Sequence, residues 1–170
     1  MGAAARIGVG SLAIVTPTAI YGLLIPIGLS ETLAITSGLA IGPVEGFLVG
    51  ALTIIASDLY LAPGPWTPFI AGIIGLLGAS GGLLRGRVFP SKVSLAVVAV
   101  VLTLFSEFLQ NLWVAWFYSV PLTGVLIAGL PTLFSALINN FLLLTLAGPR
   151  IIEVLDKRVN LPYVGGAEIG

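Results

Sequence analysis

Residues 28 to 42 read Gly-Leu-Ser-Glu-Thr-Leu-Ala-Ile-Thr-Ser-Gly-Leu-Ala-Ile-Gly, and the reading of this stretch decides the fold. It lies between two longer apolar runs, carries one carboxylate, Glu31, and reaches about 22 Å if fully helical at about 1.5 Å per residue. It is either a short membrane span or a re-entrant turn, and charge separates the two. If it spans, Arg6, Arg85, Arg87, Lys92, Arg150, Lys157 and Arg158, which are all seven basic residues of the chain, fall on one side of the bilayer. If it does not, Arg6 changes sides. Basic residues concentrate in cytoplasmic loops, so the distribution favours six spans with both termini in the cytoplasm.

A membrane is implied by composition. Of 170 residues, 58% are hydrophobic and 8% charged, and the mean hydropathy is +1.14. A soluble domain of this size carries roughly 25% charged residues, so a chain with this few charges could not cover a water-facing surface. At about 20 residues per span, this length allows at most about seven, so the expected fold is an all-α integral membrane protein, a six-helix bundle forming one domain over 1–170. The spans are expected at about 7–25, 28–42, 44–61, 66–84, 93–118 and 122–147, followed by a cytoplasmic tail over 148–170. The opening residues resemble a signal peptide, but no small-x-small site closes them, so they are read as the first span. Prolines 26, 43, 63, 65, 90, 121 and 149 fall between these runs or at their ends, where a missing amide donor costs least. Pro17 and Pro131 fall inside and predict kinks. Outer loops at 26–30, 62–65 and 119–121 have Tyr60, Trp66, Trp113, Trp116 and Tyr118 nearby, as an aromatic interfacial belt would.

Small residues recur at helical spacing. Gly42, Gly46 and Gly50 form two overlapping GxxxG steps, Ala71, Gly75 and Ala79 repeat every four positions, and Gly78 pairs with Gly82. Such ridges let helix backbones touch, and tight bundle packing is the expectation for them.

Several function classes are excluded. The chain has no cysteine and no histidine, which removes disulfides, thiolate chemistry, and the commonest metal ligand and general base. No metal site is expected. A formal net charge of zero with no basic run gives no footprint for nucleic acid. No Gly-x-Ser-x-Gly elbow, HExxH or phosphate-binding lysine loop is present. A carboxylate pair such as Asp58 with Glu107 could in principle perform acid–base work, but nothing else supports a reaction; no catalytic residue and no enzyme activity are expected.

Polar side chains within spans are costly and point to function. With Glu107 at zero on a helical wheel, Asn111 falls at about +40°, Tyr118 at +20° and Gln110 at −60°, with Trp116 opposite and Trp113 on the flank. Glu107, Gln110, Asn111 and Tyr118 therefore share a face leading outward, as expected of a cavity open to the outside. Asp58 lies about one turn below the second outer loop, which leads into Trp66 and Thr67. In the sixth span Thr132 and Ser135 lie within about 40° of Asn139 on the helical wheel; Asn139, toward the cytoplasmic half, suits an interhelical hydrogen bond.

The run Ile41-Gly-Pro-Val-Glu-Gly-Phe-Leu-Val-Gly50, a helix ending in Asp58, a Pro-rich loop, Trp66-Thr67-Pro68 and the glycines 72, 75, 78 and 82 together resemble the S components of energy-coupling factor transporters. Pro121-Leu122 and Leu130-Pro131 extend the resemblance, which covers about residues 7–147. It implies a multi-pass subunit of the cell membrane that captures a vitamin or related small molecule from outside in an occluded pocket. Asp58, Trp66, Thr67, Glu107, Gln110, Asn111 and Tyr118 are the candidate substrate ligands. The resemblance further implies a T component and two ATPase subunits as partners, with ATP used by the ATPases and no cofactor bound by this chain. Ala4 and Gly8 are the candidate T-component contacts; the tryptophan that follows an alanine by four residues in some members is absent. The competing reading is a stand-alone channel or transporter, or a structural bundle without an ATPase. Polar groups concentrated in the outer half favour an occluded site over a pore. With Asp58, Glu107 and Glu31 there and no basic residue, the expected substrate is neutral or cationic, stacked on Trp66 or a tyrosine. The lack of histidine argues against nickel or cobalt.

Overall fold

The computed structural model describes residues 29–61, 63–88 and 91–159. The expected first span, with Ala4, Gly8 and Pro17, and the last residues of the tail lie outside the described residues. Among those described there are seven helices and no strand: α1 (Leu29–Ala40), α2 (Pro43–Leu61), α3 (Thr67–Leu83), α4 (Lys92–Phe117), α5 (Leu122–Ala128), α6 (Leu130–Leu146) and α7 (Gly148–Val159). By length and composition α2 and α4 each suffice to cross a membrane, as do α5 and α6 taken together; α3 is apolar but shorter.

The stretch that decides the fold is helical, and it is the centre of the molecule. α1 packs against α2, α3, α6 and α7, and Thr32, Ala34, Ile35, Thr36 and Ala40 have no exposed surface. A helix this polar tolerates burial because its hydroxyls find partners. Thr36 Oγ1 donates to the Thr32 carbonyl at 2.8 Å, and Thr32 Oγ1 reaches Asn140 at 3.3 Å. Glycine sets how closely the neighbours approach. A Cβ on Gly46 would run into the Gly78 carbonyl and the Gly38 Cα, and one on Gly50 into the Ile74 carbonyl. A Cβ on Gly38 would meet Gly78 and Gly82, and one on Gly82 would strike Pro43. α1, α2 and α3 thus meet backbone to backbone, the arrangement that small-residue ridges permit.

α4 closes the other side. Ser91 caps it, its hydroxyl accepting from the Ser94 amide at 3.2 Å. Leu95, Val98, Ala99 and Leu102 join Ile35, Leu39, Leu77 and Leu144 in the core. The opposite face, with Val97, Val101, Leu104, Phe105 and Phe108, is exposed; a continuous apolar helix surface of this kind is consistent with a membrane protein. α4 ends where Ser119 takes a left-handed conformation, φ 53°, and the Val120 amide donates back to the Ala115 carbonyl at 3.0 Å. This is a Schellman-type stop built on a serine where glycine is usual.

The expected sixth span, 122–147, is two helices rather than one. The chain breaks at Gly129, and α5 and α6 meet at 54°. Pro131, in the first turn of α6, has no amide to donate and its ring crowds the preceding turn. The tail begins as the amphipathic α7. Ile152, 4% exposed, and Leu155 cover the end of the core, while Glu153 and Lys157 face outward in an ion pair of 2.5 Å. The hydrogen bond and charge of Lys157 hold the Glu153 carboxyl below its usual range; so exposed a pair adds little stability.

Candidate functional site

The polar side chains of α1, α4 and α6 converge on Glu31, which is 7% exposed. Ser106 Oγ donates to Glu31 Oε1 at 3.0 Å. Asn140 Nδ2 donates to Glu31 Oε2 and also to Thr103 Oγ1 at 3.0 Å, while Gln110 Nε2 donates to Ser106 Oγ at 3.0 Å. Both carboxylate oxygens and all of the Asn140 amide are thus engaged. A buried carboxylate without such partners would be strongly destabilising, so the network carries Glu31 within the bundle and ties three helices together.

One wall of this network opens onto a cavity of about 550 Å³. Ser30 and Glu31 come from the first turn of α1, Glu107 and Gln110 from α4, and Thr132 and Ser135 from α6. Ile54 of α2 and Ile70 and Ile74 of α3 form an apolar wall, with Pro131 and Ala136 on the α6 side. The volume falls in the range of small-molecule sites, and the composition, a mostly apolar lining with a few convergent polar groups, matches them as well. A smaller hollow of about 380 Å³ lies at the opposite end beside Gly42 and Arg85. There the Arg85 guanidinium donates to the Ile41 carbonyl at 3.0 Å and caps the end of α1.

Of the seven candidate substrate ligands, Glu107 and Gln110 line the large cavity, as do Glu31, Thr132 and Ser135, which the sequence also singled out; the other five candidates lie elsewhere. Thr67 Oγ1 donates to Asp58 Oδ2 at 2.5 Å and accepts from the Gly64 amide at 3.1 Å. Asp58 and Thr67 therefore lock the turn between α2 and α3. Trp66 lies over Gly64, whose absent Cβ leaves room for the indole. Asn111 Nδ2 donates to the Glu107 carbonyl one turn back at 2.7 Å, and its amide packs against Gly129 at the break between α5 and α6. Tyr118 is 56% exposed and stands edge-on to Phe117. The aromatics near this end form a seam between α3 and α4, with Phe69 5.2 Å from Trp113 and Trp113 5.1 Å from Phe117, apart from the cavity lining.

Residues the sequence reading passed over are Ser106, Thr103 and Asn140. Thr103, Ser106 and Gln110 recur at i, i+3 and i+7 on α4, a helical polar arc centred about 60° to one side of Glu107. That spacing was the available signal. Asn139 donates to Ser135 at 3.4 Å, and it is the adjacent Asn140 that reaches Glu31.

Comparison with known protein families, characterised proteins and solved structures finds no match to this chain.

Proposed function

We propose that this chain is the substrate-capturing subunit of an energy-coupling factor importer, a six-span protein of the cell membrane with both termini in the cytoplasm. The observation that supports this most directly is the cavity between α1 and the α4/α6 pair, with its polar floor anchored on Glu31 and its isoleucine wall on α2 and α3. In the proposed topology its mouth faces outward, at the end of the bundle where α2 and α4 finish and α3 and α6 begin. The described basic residues Arg85, Arg87, Lys92, Arg150 and Lys157 all belong to the segments at the other end, as the cytoplasmic side requires. The chain has no phosphate-binding loop, so it binds on its own, and transport requires a T component and two ATPase subunits that hydrolyse ATP.

The test fills the cavity. Ser135→Trp places a bulky ring on the α6 wall, where the native side chain is exposed and the helix has room to accept it. A ligand-stability screen of the purified full chain against a vitamin panel is expected to yield a binder that Ser135→Trp loses while remaining folded. Co-expression with a T component and ATPases should then convert binding into ATP-dependent uptake. Retained binding in Ser135→Trp, or sustained uptake by vesicles holding this chain alone, rejects the proposal.

A further inference from the structure

This inference rests on the capture reading and names the substrate class. We propose that the cavity takes an organic monocation, its positive nitrogen at the Glu107 carboxylate and its apolar body against Ile54, Ile70 and Ile74. Three observations carry it.

The first is the balance of charge. No lysine or arginine occurs between Arg6 and Arg85 or between Lys92 and Arg150, so no described residue lining the cavity carries a positive charge, whereas two carboxylates line it. A bound anion would meet like charge with no described lining residue to offset it.

The second is that the two carboxylates differ. Glu31 already accepts hydrogen bonds at both oxygens, from Ser106 and Asn140. The Glu107 carboxylate accepts none among the described residues, although the Glu107 backbone carbonyl receives Asn111. One acidic group is thus satisfied internally and the other is left to the cavity. When a ligand displaces water from this wall, an unpaired carboxylate loses its solvation, and a cation on the ligand restores the balance. One free carboxylate calls for one positive charge.

The third is the kind of space on offer. No aromatic ring lines the cavity among the described residues, so the proposed attraction is an ion pair rather than a cation–π contact. A bare divalent ion would want about six or more oxygen ligands, and a cavity of about 550 Å³ walled by three isoleucines does not provide that shell. The isoleucines favour a carbon skeleton, while Gln110, Thr132 and Ser135 remain for its neutral polar groups.

The test uses three probes of similar size, benzyltrimethylammonium, benzyl alcohol and benzoate. Binding is measured on the full chain in nanodiscs against empty nanodiscs. The wild-type chain is expected to prefer the cation over the alcohol by about tenfold or more, and to bind benzoate weakest. Glu107→Gln, checked for folding by thermal melting, should reduce that preference to within about twofold. Glu107→Asp keeps the charge but draws it back by one methylene, and should retain the preference at lower affinity. Equal binding of alcohol and cation, tighter binding of benzoate, no binding of the cation, or an undiminished preference in folded Glu107→Gln each overturns the assignment. If Glu107→Gln does not fold, the wild-type ranking and Glu107→Asp decide. A wild-type chain that binds the alcohol or benzoate best, in a manner lost in Ser135→Trp, overturns the cation and leaves the capture reading standing; binding indifferent to Ser135→Trp overturns the capture reading itself.

Discussion

Asn140 donates a hydrogen bond to Glu31 across 109 positions of sequence, joining the fully buried face of α1 to the cytoplasmic half of α6 in the proposed topology. The bond fixes where the cavity floor lies, because Glu31 is both the acceptor and part of the cavity lining.

Removing the donor should therefore cost stability. Asn140→Ala strips one oxygen of Glu31 and the hydroxyl of Thr103 of their partner and is expected to destabilise the protein by about 1 to 3 kcal/mol. Glu31→Gln in the same background should recover part of the loss, since a neutral amide tolerates the apolar surroundings better. Thermal melts of the single and double variants, read as a double-mutant cycle, give the coupling. Additive losses would show that the two side chains act independently.

The glycines divide into two kinds. Gly78→Ala places a methyl against the Gly46 carbonyl and should destabilise by about 1 to 3 kcal/mol through overpacking. Gly72→Ala meets nothing within 4 Å among the described residues and should be neutral or raise stability by about 0.5 to 1 kcal/mol, as alanine does in a helix interior. Melting temperatures of the two variants in one detergent check the contrast.

At the end of α4, Ser119→Gly relieves a left-handed residue of its Cβ. The expected gain is about 1 kcal/mol, near the cost of that conformation for an L-residue. A fall in melting temperature would mean that the serine side chain supports the turn in a way that outweighs its backbone strain.

Asp58→Asn tests the boundary of the site. Its carboxylate is occupied by Thr67, so the variant should loosen the turn by about 1 kcal/mol and leave ligand binding within about twofold of wild type. A large loss of affinity would return Asp58 to the binding site where the sequence pattern had placed it.

The described helices were legible because long apolar runs and prolines at their ends are properties of the chain itself. The bend near Pro131 was legible for the same reason, since a proline breaks the hydrogen-bond ladder wherever a helix contains it. The site was legible only in part. Spacing on one helix puts Glu107 and Gln110 on a common face, but it cannot say that Asn111 turns back onto its own helix and Gly129. Nor can it say that Asn140, about 100° of rotation from Asn139, is the residue that reaches Glu31; that depends on where α1 stands. Serines and threonines hid the polar arc of α4, because they sit in apolar helices without disturbing the hydropathy that identifies a span.

The backbone contacts among Gly38, Gly46, Gly78 and Gly82 have an evolutionary consequence. One side of the cavity hangs on a frame where nearly any substitution at the crossing points is a steric error, while Thr132 and Ser135 on the other side are exposed and held by no comparable crossing. Variation is therefore unevenly permitted around a single pocket. On the proposed capture function, a lineage carrying this frame would revise its ligand through the α6 wall, one side chain at a time, while the isoleucine wall and the fold behind it stay the same.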